Sequence, residues 1–196
     1  MPTLVLASAS PRRHELLTRL GVHFVVDAAD IDESVRPGET PRDYVARMAR
    51  EKAGTVRARR GDGAPVLAAD TTVVIDDDIL GKPAGHFAGL AMLARLSGRT
   101  HSVITAVCLQ SGDGVAALEV ETRVTFLTLT REVCERYLAT PEPWDKAGGY
   151  AIQGLGGALV SAIEGSYSNV VGLPLAETWQ LLAAHGIATA LGPTDG

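Results

Sequence analysis

Cysteine and long apolar runs are scarce in this chain of 196 residues, and each scarcity excludes a class of protein. The two cysteines, Cys108 and Cys134, form no Cys-x-x-Cys pair, so the sequence contains no zinc or dithiol redox motif. Two isolated thiols suit a reducing compartment. No apolar stretch reaches the roughly 18 residues of a membrane span, and no secretory leader pattern is present at the N-terminus. We therefore expect a cytoplasmic protein that does not enter a membrane.

Positive charge is also too sparse for a protein that coats a polyanion. The net charge is −5, and the clearest basic cluster, residues 57–60, falls at the end of a predicted helix. A solvated helix end explains such a cluster. We therefore expect no polymeric nucleic acid as a partner, so any nucleotide chemistry should involve a small ligand in a local basic pocket.

Apolar runs and helical periodicities alternate along the chain without a strict strand–helix–strand rhythm. The sequence predicts strands over 4–7, 23–28, 66–75, 100–110, 115–128, 150–153 and 158–163, and helices over 12–20, 41–60, 86–96, 130–139 and from residue 174. Repeats, low-complexity segments, Walker loops, Rossmann fingerprints and His-Glu-x-x-His motifs are all missing. The pattern predicts a mixed, twisted sheet flanked by helices, and the length of the chain suits one large domain or two small lobes.

The first predicted helix begins with positive charge, which a helix N-terminus tolerates poorly. Ser10 is a good N-cap and Pro11 suits the first helical position. Arg12 and Arg13 then fall in the first turn, where each opposes the helix dipole by roughly 0.3–1 kcal/mol. Arg13 takes the position at which Glu or Gln would close a capping box, which leaves backbone N–H groups for an anion. With the Ser8 hydroxyl, this start predicts a phosphate site, and an ordinary solvated helix start is the alternative.

Two charged residues interrupt patterns that are otherwise apolar. Asp70 lies within the predicted strand 66–75, where an unpaired carboxylate is costly and must reach water, a cation or a metal. It is therefore a candidate catalytic group, or it merely caps backbone N–H groups in a turn. Lys52 falls on the apolar stripe of the predicted helix that carries Val45 and Met48. Its ammonium either points into a cleft that holds an anion or extends past the core edge into water.

Weaker signals lie in three polar segments. The three aspartates at 76–78 form a hairpin tip or, less simply, a metal cluster. Lys82 lies between Gly81 and Pro83, which favour an extended backbone close to a ligand, and an ordinary loop is the alternative. Glycines around Gln153 favour tight turns or close backbone approach to a ligand.

Five ordered motifs at compatible spacings, covering nearly the whole chain, resemble those of the Maf family of nucleoside triphosphate pyrophosphatases. They are Leu6-Ala7-Ser8 through Leu17, Arg50-Glu51-Lys52-Ala53, Ala69-Asp70-Thr71, Gly81-Lys82-Pro83, and Ile152-Gln153-Gly154 with residues 165–175. The resemblance implies an α/β fold with a long, twisted mixed sheet, in one domain over residues 1–196 with two lobes and a central cleft, often in a homodimer. It also implies metal-dependent hydrolysis of a nucleoside triphosphate to the monophosphate and pyrophosphate.

The resemblance further implies roles for individual residues. It gives Asp70 as the proton acceptor, Glu33 as an acidic site residue, and four polar residues around the phosphates, namely Ser8, Arg13, Lys52 and Lys82. Arg12, Thr71 and Gln153 resemble the residues of members that hydrolyse dTTP and UTP. Members that act on 7-methyl-GTP tend to have Trp, Gln and Glu at those three positions. We therefore expect Gln153 to pair with the pyrimidine edge and reject purines.

We hypothesise that Mg²⁺ or Mn²⁺, held with help from Asp70 and Glu33, bridges triphosphate oxygens. Asp70 then orients or deprotonates the attacking water, or it is chiefly a metal ligand, and the sequence leaves both roles open. Modified pyrimidine nucleotides are further expected substrates. The alternatives are a non-catalytic nucleotide-binding regulator of cell division or septum formation, and a purine-directed housecleaning pyrophosphatase.

Overall fold

The computed structural model describes residues 4–192, which divide into two compact units. Within this range the first unit contains residues 4–70, 105–120 and 172–192, and the second contains residues 71–104 and 121–171. Residues 1–3 and 193–196 of the predicted single domain lie outside the described part. The predicted single domain, with its cleft between two lobes, stays a prediction.

The described strands form one mixed sheet, as the sequence predicts. They are β1 (Leu4–Leu6), β2 (Phe24–Val26), β3 (Val66–Ile75), β4 (Asp78–Leu80), β5 (Thr100–Ser111), β6 (Gly114–Phe126) and β7 (Val160–Glu164). Their order is β2-β1-β3-β5-β6-β7, and β4 pairs with β3. β1 runs parallel to both β2 and β3, whereas the β3–β4 and β6–β7 pairs are antiparallel. The mixed sheet predicted from the sequence is confirmed.

Helices flank this sheet. The α-helices are α1 (Pro11–Arg19), α2 (Pro41–Arg60), α3 (His86–Leu96), α4 (Arg131–Leu138), α5 (Tyr167–Val171) and α6 (Leu175–Ala184). Short 3₁₀ helices cover Glu142–Asp145, Ala147–Gly149 and Leu155–Leu159. Within residues 4–192, no helix combines the length and the apolar character that a bilayer span requires.

Side-chain caps start the two helices of the first unit that follow β1 and β2. In α1, Ser10 Oγ accepts a hydrogen bond from the Arg13 backbone N–H at 3.4 Å. Of the backbone N–H groups that the sequence predicts to be available for an anion, those of Ser10 and Arg13 are therefore used inside the protein, by Ser8 Oγ and by Ser10 Oγ. In α2, Thr40 Oγ1 accepts from the Asp43 N–H at 3.2 Å and donates to Asp43 Oδ2 at 2.6 Å. Gly61, with a φ of 63°, ends α2.

The second unit has an apolar core between its strands, helices and 3₁₀ segments. Its buried members come mainly from β3, α3, β5, β6 and α4, with Phe126 and Tyr150 in edge-to-face contact at 4.8 Å. Gly89 lets α3 approach α4 closely, because a Cβ there would lie 2.7 Å from Leu138 Cδ2. This packing fixes α4 and the 3₁₀ helices that follow it.

Residues 150–153 do not form the predicted strand. Gly148 and Gly149 precede them with positive φ values of 73° and 68°. The Ala151 N–H then donates to the Tyr137 hydroxyl at 3.3 Å rather than to a neighbouring strand. The Ala151 N–H is thus satisfied by a side chain and the Ala151 carbonyl by the Gly154 N–H at 3.2 Å, so neither group needs a ladder partner.

Smaller differences concern short elements. The predicted strand 23–28 is shortened to β2, and the strand predicted over 158–163 is β7. The sequence predicts neither β4 nor α5, because elements of three and five residues are too short for a periodicity to show.

Candidate active site

Lys52 lies at the centre of a charge cluster in the first unit. Its ammonium donates to Asp70 Oδ1 at 2.7 Å and lies 2.6 Å from Glu33 Oε1. Lys52 and Asp70 are each only 8% exposed, whereas the Glu33 side chain is 52% exposed. The alternative in which Lys52 extends into bulk water is therefore wrong. One buried ammonium instead joins a buried carboxylate to a half-exposed one.

Helix α2 and strand β3 position the buried pair. Lys52 lies on the α2 face that also buries Val45 and Met48. Its aliphatic stem is therefore packed on this face, and its ammonium is paired with the carboxylates. Asp70 lies at the middle of β3, between fully buried Ala69 and the half-buried Thr71, rather than at a strand end or in a turn. The Lys52 ammonium compensates the charge that a mid-strand aspartate carries into the core.

Arg13 and Ser8 belong to the same unit and connect α1 to the cluster. The Arg13 guanidinium donates to the Gly172 carbonyl at 2.9 Å through Nε and to Ser8 Oγ at 3.4 Å through Nη1. Burial lowers the pKa of Arg13, the Asp70 charge raises it, Arg12 lowers it again and Glu33 raises it. The two carboxylates thus act electrostatically on Arg13, so a second cation lies in the field of Asp70 and Glu33.

Tyr44 holds the acidic loop, which is the segment of residues 27–40 between β2 and α2 that carries Glu33. Sequence reasoning did not single out this tyrosine. Its hydroxyl donates to the Glu33 backbone carbonyl at 3.0 Å. Burial raises the pKa of Tyr44 to about 12, and the Asp70 and Glu33 charges add to the effect. A signal was available, because Tyr44 precedes Lys52 by eight residues on α2, a little over two helical turns.

Arg47, one turn further along α2, fixes the rest of that loop. Its guanidinium donates to both oxygens of Glu39, at 2.5 and 2.7 Å, and to the Ser34 carbonyl at 2.9 Å. The hydrogen bond from Arg47 lowers the pKa of Glu39 to about 2, against the smaller opposing effect of burial. The Arg47–Glu39 pair is therefore fully charged at neutral pH and holds residues 33–39 on α2.

The other predicted site residues lie partly in the first unit and partly in the second. Arg12 is half-buried beside Arg13 in α1. In the second unit, Thr71 is half-buried in β3, and Lys82 and Gln153 are exposed. The backbone around Lys82 is fixed, because the Gly81 carbonyl accepts from the Gly148 N–H at 3.1 Å. Their contribution to a common site with the Lys52 cluster stays a prediction.

Few side chains in the described part of the chain are placed to bind a metal ion together. No group of three or more His, Cys, Asp or Glu side chains there is arranged to hold a metal ion. Asp76 and Asp77, both with positive φ, form a hairpin tip, so the reading of residues 76–78 as a metal cluster is wrong. Asp70 and Glu33 share one ammonium, so two carboxylates lie close together, and carboxylate oxygens suit Mg²⁺ that also keeps water and phosphate ligands.

The mixed sheet defines an α/β protein, and the buried Lys52–Asp70 pair, with the half-buried Arg13 in its field, is the candidate site. A model of the family described as Maf-like protein matches residues 3–185, and this chain belongs to that family.

Curated relatives cover nearly the whole chain. A protein of Myxococcus xanthus named dTTP/UTP pyrophosphatase is 56% identical over 184 residues, which are 94% of this chain and 93% of the relative. A protein of Methylobacillus flagellatus with the same name is 53% identical over 189 residues, 96% of this chain and 95% of the relative. Among solved structures, a HAM1 protein from Coxiella burnetii is 22% identical with a TM-score of 0.43, covering 64% of this chain and 73% of that one.

Proposed function

We propose that this protein is a nucleoside triphosphate pyrophosphatase that hydrolyses dTTP and UTP to the monophosphate and pyrophosphate. Relatives named dTTP/UTP pyrophosphatase, at 56% and 53% identity over most of the chain, support the activity and the substrates. The observation that carries the chemistry is the buried Lys52 ammonium bonded to Asp70, with the Arg13 guanidinium in the same field. Modified pyrimidine nucleotides are proposed as further substrates.

In the proposed reaction, Asp70 accepts a proton from the water that attacks the α-phosphorus. The new O–P bond forms opposite the bridge to the β-phosphorus, that bridge breaks, and its electron pair leaves with pyrophosphate. Lys52 holds the Asp70 carboxylate in one orientation, because its ammonium is bonded to Oδ1. Arg13 and Lys52 offset the negative charge on the departing pyrophosphate.

Asp70 and Glu33 are the residues that would hold a divalent cation. When bound, Mg²⁺ or Mn²⁺ would neutralise triphosphate oxygens and orient the phosphate chain. Tyr44 and Arg47 fix the loop of Glu33 on α2, which keeps that half-exposed carboxylate near Asp70.

The remaining predicted residues complete the proposal. We assign phosphate contacts to Ser8 and Lys82, and contacts at the base end to Arg12, Thr71 and Gln153. A glutamine offers an amide donor and an acceptor to a pyrimidine edge, and a larger purine would leave them unpaired. The homodimer and the cytoplasmic location stay predictions.

A nucleotide panel tests the proposal. The protein is incubated with dTTP, UTP, dATP and GTP in Mg²⁺ or in EDTA, and monophosphate, diphosphate, pyrophosphate and orthophosphate are resolved. We expect monophosphate and pyrophosphate from the pyrimidine nucleotides, in Mg²⁺ only. Diphosphate with orthophosphate would refute attack at the α-phosphorus. Binding without turnover would favour a regulator, and faster turnover of the purine nucleotides would favour a purine-directed enzyme.

The variant Asp70→Asn tests the assignment of the reacting carboxylate. We expect a loss of kcat of at least about 100-fold with a folded protein, because the amide takes up no proton. Asp113→Asn is the matched control, because it makes the same chemical change in an exposed aspartate of the β5–β6 turn. Near-normal turnover of Asp70→Asn, with a circular dichroism spectrum like the control's, would remove Asp70 from the mechanism.

A further inference from the structure

Glu142, in the second unit, receives hydrogen bonds on both carboxylate oxygens. Oε1 accepts from the Tyr137 hydroxyl and from the Gly156 N–H, both at 2.8 Å. Oε2 accepts from the Leu155 N–H at 2.9 Å. The two N–H groups are the first of the 3₁₀ helix Leu155–Leu159 and have no partner inside it. Glu142 therefore caps that helix from a distant part of the chain.

Tyr137 extends this anchor to the other end of the same segment. Its hydroxyl accepts from the Ala151 N–H at 3.3 Å while it donates to Glu142. Residues 151–156 are thus held at both ends by one Tyr–Glu pair. Gln153 lies between the two anchored ends.

Glycines bring this segment against its anchor. A Cβ at Gly154 would lie 2.0 Å from Glu142 Oε2, and one at Gly156 would lie 2.7 Å from the Tyr137 hydroxyl oxygen. At Gly156 the Ala151 backbone O and N would also lie only 2.9 and 3.0 Å from the Cβ, so no side chain fits there, whereas a Cβ at Gly154 would have to displace the Glu142 carboxylate. The glycines that the sequence shows around Gln153 therefore serve a close approach to a carboxylate of the protein itself.

The charge state of the anchor suits this role. Burial acts to raise the pKa of Glu142, but the hydrogen bonds from Gly156, Tyr137 and Leu155 together lower it below its usual range. An ionised carboxylate offers only acceptors, which matches the two N–H groups and the hydroxyl that face it. A glutamine at this position would direct its NH₂ group, which is a hydrogen-bond donor, towards at least one of the three groups that donate to Glu142.

From this geometry we infer that Glu142 and Tyr137 are positioning residues for Gln153 and thereby set the choice of nucleobase. This inference rests on the proposed function, in which Gln153 contacts the base. The Gln153 side chain is exposed, so its direction depends on the backbone that carries it. Glu142 acts through that backbone and touches no phosphate in the proposed mechanism.

Glu142→Gln tests this inference through a ratio of specificity constants. We measure kcat/KM for UTP and for GTP and expect the UTP preference to fall about tenfold, chiefly through the UTP value. A merely structural loss lowers the active fraction and therefore both constants equally, leaving the ratio unchanged. Tyr137→Phe, which removes the shared hydroxyl, should lower the ratio in the same direction by about threefold.

Two further variants keep the result interpretable. Glu132→Gln, on the exposed face of α4, makes the same change in a side chain that is 72% exposed and should leave the ratio as in the wild type. Gln153→Glu should itself change the ratio. A wild type without pyrimidine preference contradicts the proposed function. A preference that Gln153→Glu changes, but that both anchor variants leave intact, overturns the present inference alone. Should Gln153→Glu have no effect, the inference fails because its target residue does not select the base.

Discussion

Replacing Lys52 with methionine is the most direct test of the charge cluster. The methionine stem fills nearly the same space on the buried face of α2, so the packing beside Val45 and Met48 is kept. The substitution removes the ammonium that contacts Asp70 at 2.7 Å and Glu33 at 2.6 Å. It leaves Asp70, only 8% exposed, without the cation it is bonded to.

The structure indicates that the two contacts differ in strength. Opposite unit charges at the 2.7 Å of the Lys52–Asp70 contact attract by about 6 kcal/mol at an effective dielectric constant of about 20. Desolvation offsets much of this in the intact pair, but removing one partner of a buried ion pair costs about 3–5 kcal/mol. The half-exposed Glu33 contact contributes about 1 kcal/mol or less. We therefore expect Lys52→Met to lower the free energy of unfolding by about 3–5 kcal/mol.

Urea unfolding followed by far-ultraviolet circular dichroism measures the effect. A double-mutant cycle uses Lys52→Met, Asp70→Asn and the combined variant at pH 7. Because the combined variant buries neither charge, its loss should be smaller than the sum of the single losses by about 1–3 kcal/mol. Lys82→Met is the matched control, since Lys82 is exposed and its replacement should stay within about 0.5 kcal/mol of the wild type.

Two results would refute the reasoning. Lys52→Met could unfold at the wild-type urea concentration, which would mean that water or another cation already satisfies Asp70. The two single losses could also add without coupling, which would mean that the 2.7 Å contact carries no energy.

Two further predictions concern pH and the acidic loop. Burial lowers the pKa of His101 to about 4, so its contribution to stability is complete above pH 6.5 and lost as the pH falls through about 4. The urea midpoint of His101→Gln should therefore depend less on pH between those values than the midpoint of the wild type. An unchanged pH dependence would contradict the prediction. Arg47→Gln removes the bonds to Glu39 and Ser34, so residues 33–39 should be cleaved faster by protease and KM for UTP should rise about tenfold. Cleavage at the wild-type rate would show that Arg47 does not hold the loop.

Some elements could be predicted because their signals are local. Helix α2 begins at Pro41 after the Thr40 cap and ends at Gly61, and each of these residues acts on its immediate neighbours. The same holds for α1, which starts at Pro11 after Ser10. The hairpin tip at Asp76 and Asp77 also follows from local turn chemistry.

The segment around residue 151 could not be predicted in this way. Its apolar residues and flanking glycines indicate a strand, because burial against a sheet and burial beside other side chains leave the same pattern. What decides is the partner of the Ala151 N–H, and that partner is the Tyr137 hydroxyl, 14 residues earlier. The pattern of polar and apolar residues gives no information about such a hydrogen bond.

The same distinction between local and long-range interactions applies to the candidate site. By itself, the sequence determined that Asp70 and Lys52 carry charge into apolar surroundings, because an apolar strand and an apolar helix stripe are each visible along the chain. Only the tertiary structure decided that the two charges compensate each other and that Tyr44 and Arg47 fasten the loop of Glu33. The physical reason is distance: local propensity extends over a few residues, whereas pairing a buried charge depends on where the fold brings distant segments together.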